Sequence, residues 1–234
     1  MIFYEKSVPA PESLEEEKQK ANGTYLMEDV LEQLKKDFKN KCYICENNEL
    51  TSINVEHLVS HQGDLEKKFS WENLFWSCSH CNNIKLQHYD NILNCTLRED
   101  EVEESIKIKI DPYPKSKVQV VAMKNDQRVE KTVELLNKVY NGTTILKTEE
   151  AETIRKKLLD EIRDFQSLLF DYDELDKEDE MERREIHHYK NLIRKHLKSN
   201  SAYTGFKRWI IREIPELSDE FGHLFMESNN TQVK

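Results

Sequence analysis

The residues of this chain best suited to chemistry fall between positions 42 and 85. Cys42 and Cys45 form one C-x2-C pair, Cys78 and Cys81 a second. Two residues between cysteines let a tight turn aim both sulfurs at one point. Two such turns build a tetrahedral S4 site, the geometry Zn2+ adopts with thiolates. A lone C-x2-C reads equally well as a redox pair, whereas two at this separation point to zinc. Four protein ligands leave no open position for water or substrate, so the zinc expected here is structural. Other groups gather around it. Glu56 and His57 are adjacent, Asn73 opens the run Asn73-Leu74-Phe75-Trp76, Asn82 follows the last cysteine, and Lys85 comes three residues later. A carboxylate beside an imidazole, with an amide oxygen returned from a separate segment, meets the needs of single-metal phosphodiester hydrolysis. The oxygens suit a hard cation, and neutral imidazole can take a proton from water near pH 7.

Read in order as C-x2-C, Glu-His, Asn-Leu and C-x2-C-Asn-x2-Lys, this pattern resembles the HNH endonuclease family in its zinc-knuckle form. The resemblance implies that His57 is the general base and that Glu56 and Asn82 hold a catalytic Mg2+ or Mn2+. By the same resemblance Asn73 braces the loop carrying the base, and Lys85 can touch a phosphate. Glu56 stands where Asp is commoner in the family, and Ser60 where many members have Pro. His61 could reach a scissile phosphate or be a solvated loop residue, His80 reads as a knuckle spacer, and His88 and Asn83 are spare candidates for the metal shell. The segments 9–14, 69–76 and 131–137 are similar to the HNH nuclease subunit of Septu-type and retron-associated anti-phage defence systems, which extends the likeness over most of the chain. What this implies is a metal-dependent endonuclease, a phosphodiester hydrolase acting on nucleic acid with DNA ahead of RNA, and an ATPase subunit as partner. Two alternatives stand beside it: a non-catalytic zinc-knuckle scaffold, or a subunit that binds nucleic acid without cutting it.

The elements that must position these groups follow from hydrophobic period. Val55 belongs to a strand delivering Glu56 and His57, and Leu74-Phe75-Trp76 is its expected antiparallel mate. A helix from about His80 to His88 would return Asn82 and Lys85 across the pair, the ββα-metal arrangement that the family implies. Upstream, Leu26, Val30, Leu34 and Phe38 recur every four residues, which predicts an amphipathic helix capped by Thr24. Pro9 and Pro11 keep the start of the chain an extended arm. Downstream, Ile106, Ile108 and Ile110 alternate with Lys107 and Lys109, and Val118 and Val120 mirror them across a proline-bearing turn, which predicts a hairpin. From Asp126 the pattern turns helical, with one stripe at Val129, Val133 and Leu136 and a longer one from Ile154 to Leu169. Residues 171–182 carry eight carboxylates without EF-hand spacing, so they read as a solvated connector. Arg183, Arg184, Lys190, Arg194, Lys195 and Lys198 then make the most basic stretch, suited to nucleic acid, to an acidic partner, or to answering the acids upstream.

The expected fold class is therefore α+β and mostly α: a zinc-stabilised ββα-metal module embedded in a helical protein with a short β-hairpin. Residues 1–40 form an arm and packing helix, 41–95 the zinc module, and 96–234 the hairpin plus a C-terminal helical region. With 34% charged residues and no apolar run long enough to span a bilayer, the chain is expected to have no membrane partner. Thiolate knuckles and the odd Cys95 point to a reducing cytoplasm. A net charge of −10 gives little long-range attraction for phosphate, so nucleic-acid affinity should be weak without a partner supplying positive charge.

Overall fold

The computed structural model describes residues 1–50 and 52–226. The chain opens with an extended arm whose Met1, Ile2 and Tyr4 are buried in the main core, with Tyr4 N–H bonded to the Cys95 carbonyl at 2.8 Å. Two helices follow, α1 (Ser13–Lys18) and α2 (Glu28–Asp37). Val30, Leu34 and Phe38 point into the core at the expected spacing. Thr24 does not cap α2, which starts at Glu28. Its hydroxyl instead accepts Leu26 N–H at 3.1 Å, a local turn that competes with helix.

Strands β1 (Ile53–His57) and β2 (Leu74–Cys78) pair antiparallel, with Glu56 opposite Phe75 and His57 opposite Leu74. Between them lie a loop and α3 (Leu65–Phe69), capped by the Asp64 carboxylate on Glu66 and Lys67 N–H groups. Helix α4 (Ser79–Lys85) packs across both strands. It is shorter than expected. Leu86 adopts φ 42°, a left-handed conformation that ends the helix, and residues 86–89 form a single tight turn.

A four-residue helix α5 (Val102–Ser105) leads into a second hairpin of β3 (Ile106–Lys109) and β4 (Gln119–Ala122). Ile106 and Ile108 are buried while Lys107 and Lys109 face outward, and Lys107 pairs with Glu213. Helix α6 (Gln127–Asn141) is capped by the Asp126 carboxylate, and α7 (Ile145–Asp173) by the Thr144 hydroxyl. The acidic segment ends α7 and links it to α8 (Arg183–Leu197). Three shorter helices close the described chain: α9 (Thr204–Glu213), α10 (Pro215–Phe221) and α11 (His223–Met226).

The main core draws on the arm, the Cys42–Cys45 loop, both hairpins, α6, the first half of α7 and α9. A smaller apolar cluster joins the far end of α7 to α8, α10 and α11 through Phe165, Leu169, Ile193, Phe221 and Phe225. Two fully buried charges fasten the Cys42–Cys45 loop to the C-terminal segment. Lys41 donates to the carbonyls of Ser199 (2.9 Å) and Ser201 (2.6 Å), and Glu46 accepts Gly205 N–H at 2.9 Å. Among the described residues no helix is long and apolar enough to cross a membrane.

Candidate metal centre and its neighbouring groups

The four cysteines come from three places. Cys42 and Cys45 flank a tight turn closed by Glu46 N–H to the Cys42 carbonyl (2.9 Å), Cys78 ends β2, and Cys81 lies in the first turn of α4. All are buried, and their sulfurs lie within 4.8 Å of one another. Zn–S bonds of about 2.3 Å in a tetrahedron require S–S edges of about 3.8 Å. The Cys45–Cys78 separation is 3.9 Å. The donor set and its spacing fit a structural metal such as zinc. Among the described residues this is the only cluster of three or more His, Cys, Asp or Glu ligand atoms.

Period-two alternation along β1 sends Glu56 and His57 to opposite faces of the hairpin. Glu56 faces inward. Its Oε2 accepts the Tyr43 hydroxyl at 3.0 Å, and its Oε1 lies 2.7 Å from Lys85 Nζ. Burial pushes the Glu56 carboxyl up to about 7, against the pull of Lys85. Oε1 is buried, yet no donor is aligned on it in hydrogen-bonding geometry. Lys85 is only 1% exposed; its ammonium also donates to the His57 carbonyl at 3.0 Å and lies 4.0 Å from Asp90. The residue expected to reach a phosphate is thus held internally, where it ties α4 to the end of β1.

His57 faces the other way and is half-buried. Its Nε2 is 3.0 Å from the Lys68 carbonyl, a group that can only accept, so Nε2 carries the hydrogen and Nδ1 the lone pair. The edge of Tyr25 and the ring of His61 pack against it, with centroids 4.7 and 4.8 Å away. Burial lowers the imidazole below its ordinary range, which keeps it neutral at pH 7. Asn73 clasps the loop that follows His57. Its Oδ1 accepts Val59 N–H at 2.8 Å, and its Nδ2 donates to the Val59 (2.8 Å) and Lys67 (3.0 Å) carbonyls.

Asn82 sits three residues before Lys85 on α4, on the same helix face. Its side chain is half-buried and makes no hydrogen bond among the described residues. His80 is held by Glu150 (2.5 Å) and the Val139 carbonyl (2.9 Å), a link between α4, α6 and α7. His88 and Asn83 are exposed. Two participants are not evident from the sequence. Tyr43 looks like a knuckle spacer but bonds Glu56, and Asp90 holds Ser60 through its N–H (3.0 Å) and hydroxyl (2.8 Å).

No protein-family model, curated protein or solved structure matches the chain.

Proposed function

We propose that the chain is a metal-dependent HNH-type endonuclease. The observation that carries this reading is the setting of His57. A neutral imidazole, fixed in one tautomer by a backbone carbonyl, leaves Nδ1 free at the end of a strand paired with the one that ends in the four-cysteine cluster. In this reading Nδ1 takes a proton from water as the water oxygen forms a bond to phosphorus. The P–O bond to the departing 3′ oxygen breaks, and that oxygen is protonated from solvent. A positioned base of this kind contributes roughly 10²–10⁴-fold. Asn73 keeps the loop that follows His57 in place. Glu56 and Asn82 would hold Mg2+ or Mn2+, which requires Lys85 to release the Glu56 Oε1 it holds at 2.7 Å and the carboxylate to turn from the face opposite His57; when bound, the ion would supply positive charge beside the phosphate. The resemblance of the sequence extends the proposal to a defence complex in which an ATPase subunit contributes the grip and the trigger.

One observation favours the rival reading of a non-catalytic scaffold. Lys85 already places a positive charge 2.7 Å from the Glu56 carboxylate. Cleavage assays on DNA and RNA separate the two, run with and without Mg2+ or Mn2+ and with the product of any adjacent ATPase gene. Nuclease activity should require the ion and should vanish in His57→Ala while the circular dichroism spectrum stays unchanged. Full activity in His57→Ala, or none in wild type under any of these conditions, would leave the scaffold reading standing.

A further inference from the structure

The basic stretch from Arg183 to Lys198 has no part in the proposed chemistry. In the fold two of its early charges are answered, Arg183 by Glu180 at 2.9 Å and Lys190 by Glu220 at 2.5 Å, while Arg184 is exposed and unpaired among the described residues. Its end is different. Arg194 bonds only Asn191 on its own helix (3.2 Å), and the side chains of Lys195 and Lys198 have no ion pair or hydrogen bond among the described residues. The turn after α2 brings a fourth cation, Lys39, which is exposed and likewise unpaired among the described residues. Lys39 and the following Asn40 have φ of 55° and 54°, a left-handed turn that fixes where Lys39 emerges.

Lys39, Arg194, Lys198 and Arg208 line a groove of about 490 Å3, and Leu197 and Leu224 contribute its apolar wall. Among the described residues no carboxylate lines it. Across the 198–200 turn, Lys195 and Lys198 line a second depression of about 440 Å3, where the single acid, Glu161, is engaged by Lys207 at 2.6 Å. Cations at a helix C-terminus are commonly accounted for by the last carbonyls. Here that role is already filled, because Arg208 donates to the Leu197 carbonyl from Nε (3.0 Å) and from a terminal nitrogen (2.9 Å).

We infer that this groove holds the phosphate backbone of double-stranded nucleic acid. A duplex presents about one negative charge per 1.7 Å, which Lys39, Arg194, Lys195 and Lys198 can meet at successive phosphates, whereas the buried Arg208 is held by Glu103 at 2.6 Å and the adjoining depression that shares Lys39 carries Glu5, Glu101 and Glu104. Among the described residues no Phe, Tyr or Trp lines either depression, so neither offers a platform on which unstacked bases of a single strand could lie. The inference rests on the reading of the chain as acting on nucleic acid, and it places a local grip on a protein whose net charge is −10.

The test is fluorescence anisotropy with a labelled duplex of arbitrary sequence, in a salt series and without added divalent ion. Because the readout is binding, it does not depend on whether the chain cuts. Wild type is compared with Lys39→Glu/Lys195→Glu/Lys198→Glu and with Lys115→Glu/Lys117→Glu/Lys156→Glu. The second set changes the net charge equally at lysines away from the groove that are unpaired among the described residues. Four phosphate contacts at about −0.9 each give wild type a slope of log K against log salt near −3.6. The groove variant should keep its circular dichroism spectrum, bind on the order of tenfold or more weakly at low salt, and flatten to a slope near −0.9. The control variant should keep both affinity and slope close to wild type. Absence of duplex binding by wild type at low salt, or equal losses in the two variants, would overturn the groove and leave these lysines to an acidic protein surface.

Discussion

Lys85→Met asks what holds α4 against β1. The substitution keeps the length and apolar stem of the side chain but removes an ammonium that is 1% exposed and serves Glu56 at 2.7 Å and the His57 carbonyl at 3.0 Å. Left behind is a carboxylate only 6% exposed whose one remaining partner among the described residues is the Tyr43 hydroxyl. Breaking a buried pair from one side costs up to about 3–5 kcal/mol; because burial already pushes Glu56 up to about 7 with Lys85 beside it, the carboxyl left behind takes up a proton, and the cost is that uptake together with the lost ammonium contacts. Removing both charges is different. Glu56→Gln/Lys85→Met retains an acceptor for Tyr43 and takes both the ions and their desolvation out of the folded state, so it should cost less than the sum of the single variants. A coupling energy of about 1–3 kcal/mol is expected. The measurement is urea denaturation of wild type, both single variants and the double variant under one buffer condition. Total stabilities of small domains run to about 5–15 kcal/mol, so the Lys85→Met transition should be shifted to markedly lower urea while remaining cooperative. Additivity within about 0.5 kcal/mol would show that the two groups do not act on each other, and the internal role assigned to Lys85 would fall.

Native mass spectrometry of the chain should find one zinc per molecule. Cys45→Ser should lose the ion together with the cooperative unfolding transition, since structural zinc contributes roughly 10–16 kcal/mol, comparable with the whole stability of a small domain. A metal-free Cys45→Ser variant melting like wild type would refute the structural role. A pH effect should come from His196, whose ring packs on Phe165 with centroids 5.5 Å apart and whose buried Nδ1 has no partner among the described residues. Burial first, and then Lys207, lower its pKa, against Glu161 and Asp164. The unfolded chain therefore binds a proton that the folded chain refuses in the interval just below 6.5, and stability should fall as pH drops through it. His196→Phe should flatten that part of the stability–pH curve; an unchanged slope would remove His196 as its source.

The four-cysteine cluster was legible because its information is local: two short spacers need no knowledge of the fold. The same holds for α6, where Asp126 stands at the cap and apolar residues follow at helical spacing. Strand β1 and its mate β2 could be read from their runs, but their register could not, and register is what sets Glu56 against Tyr43 and Lys85 rather than toward solvent. Lys85 in sequence is one more lysine after a cysteine. Only the return of α4 across the hairpin shows its charge to be internal. The partner of His57 was out of reach altogether, since the Lys68 carbonyl is a backbone atom that any residue type would supply. The expectation that Thr24 caps α2 failed because its hydroxyl serves Leu26 and the helix waits until Glu28.

Lys41 stands immediately before the first zinc-loop cysteine, yet its ammonium is received by residues 158 and 160 positions further on, at Ser199 and Ser201. The four-cysteine cluster is consequently not a portable cassette. An excised fragment covering only the two cysteine pairs would carry a lysine shaped for enclosure with nothing left to enclose it, and the turn that presents Cys42 and Cys45 would lose its outer wall. During synthesis the same dependence becomes a matter of timing: the carbonyls that receive Lys41 emerge only with the last third of the polypeptide.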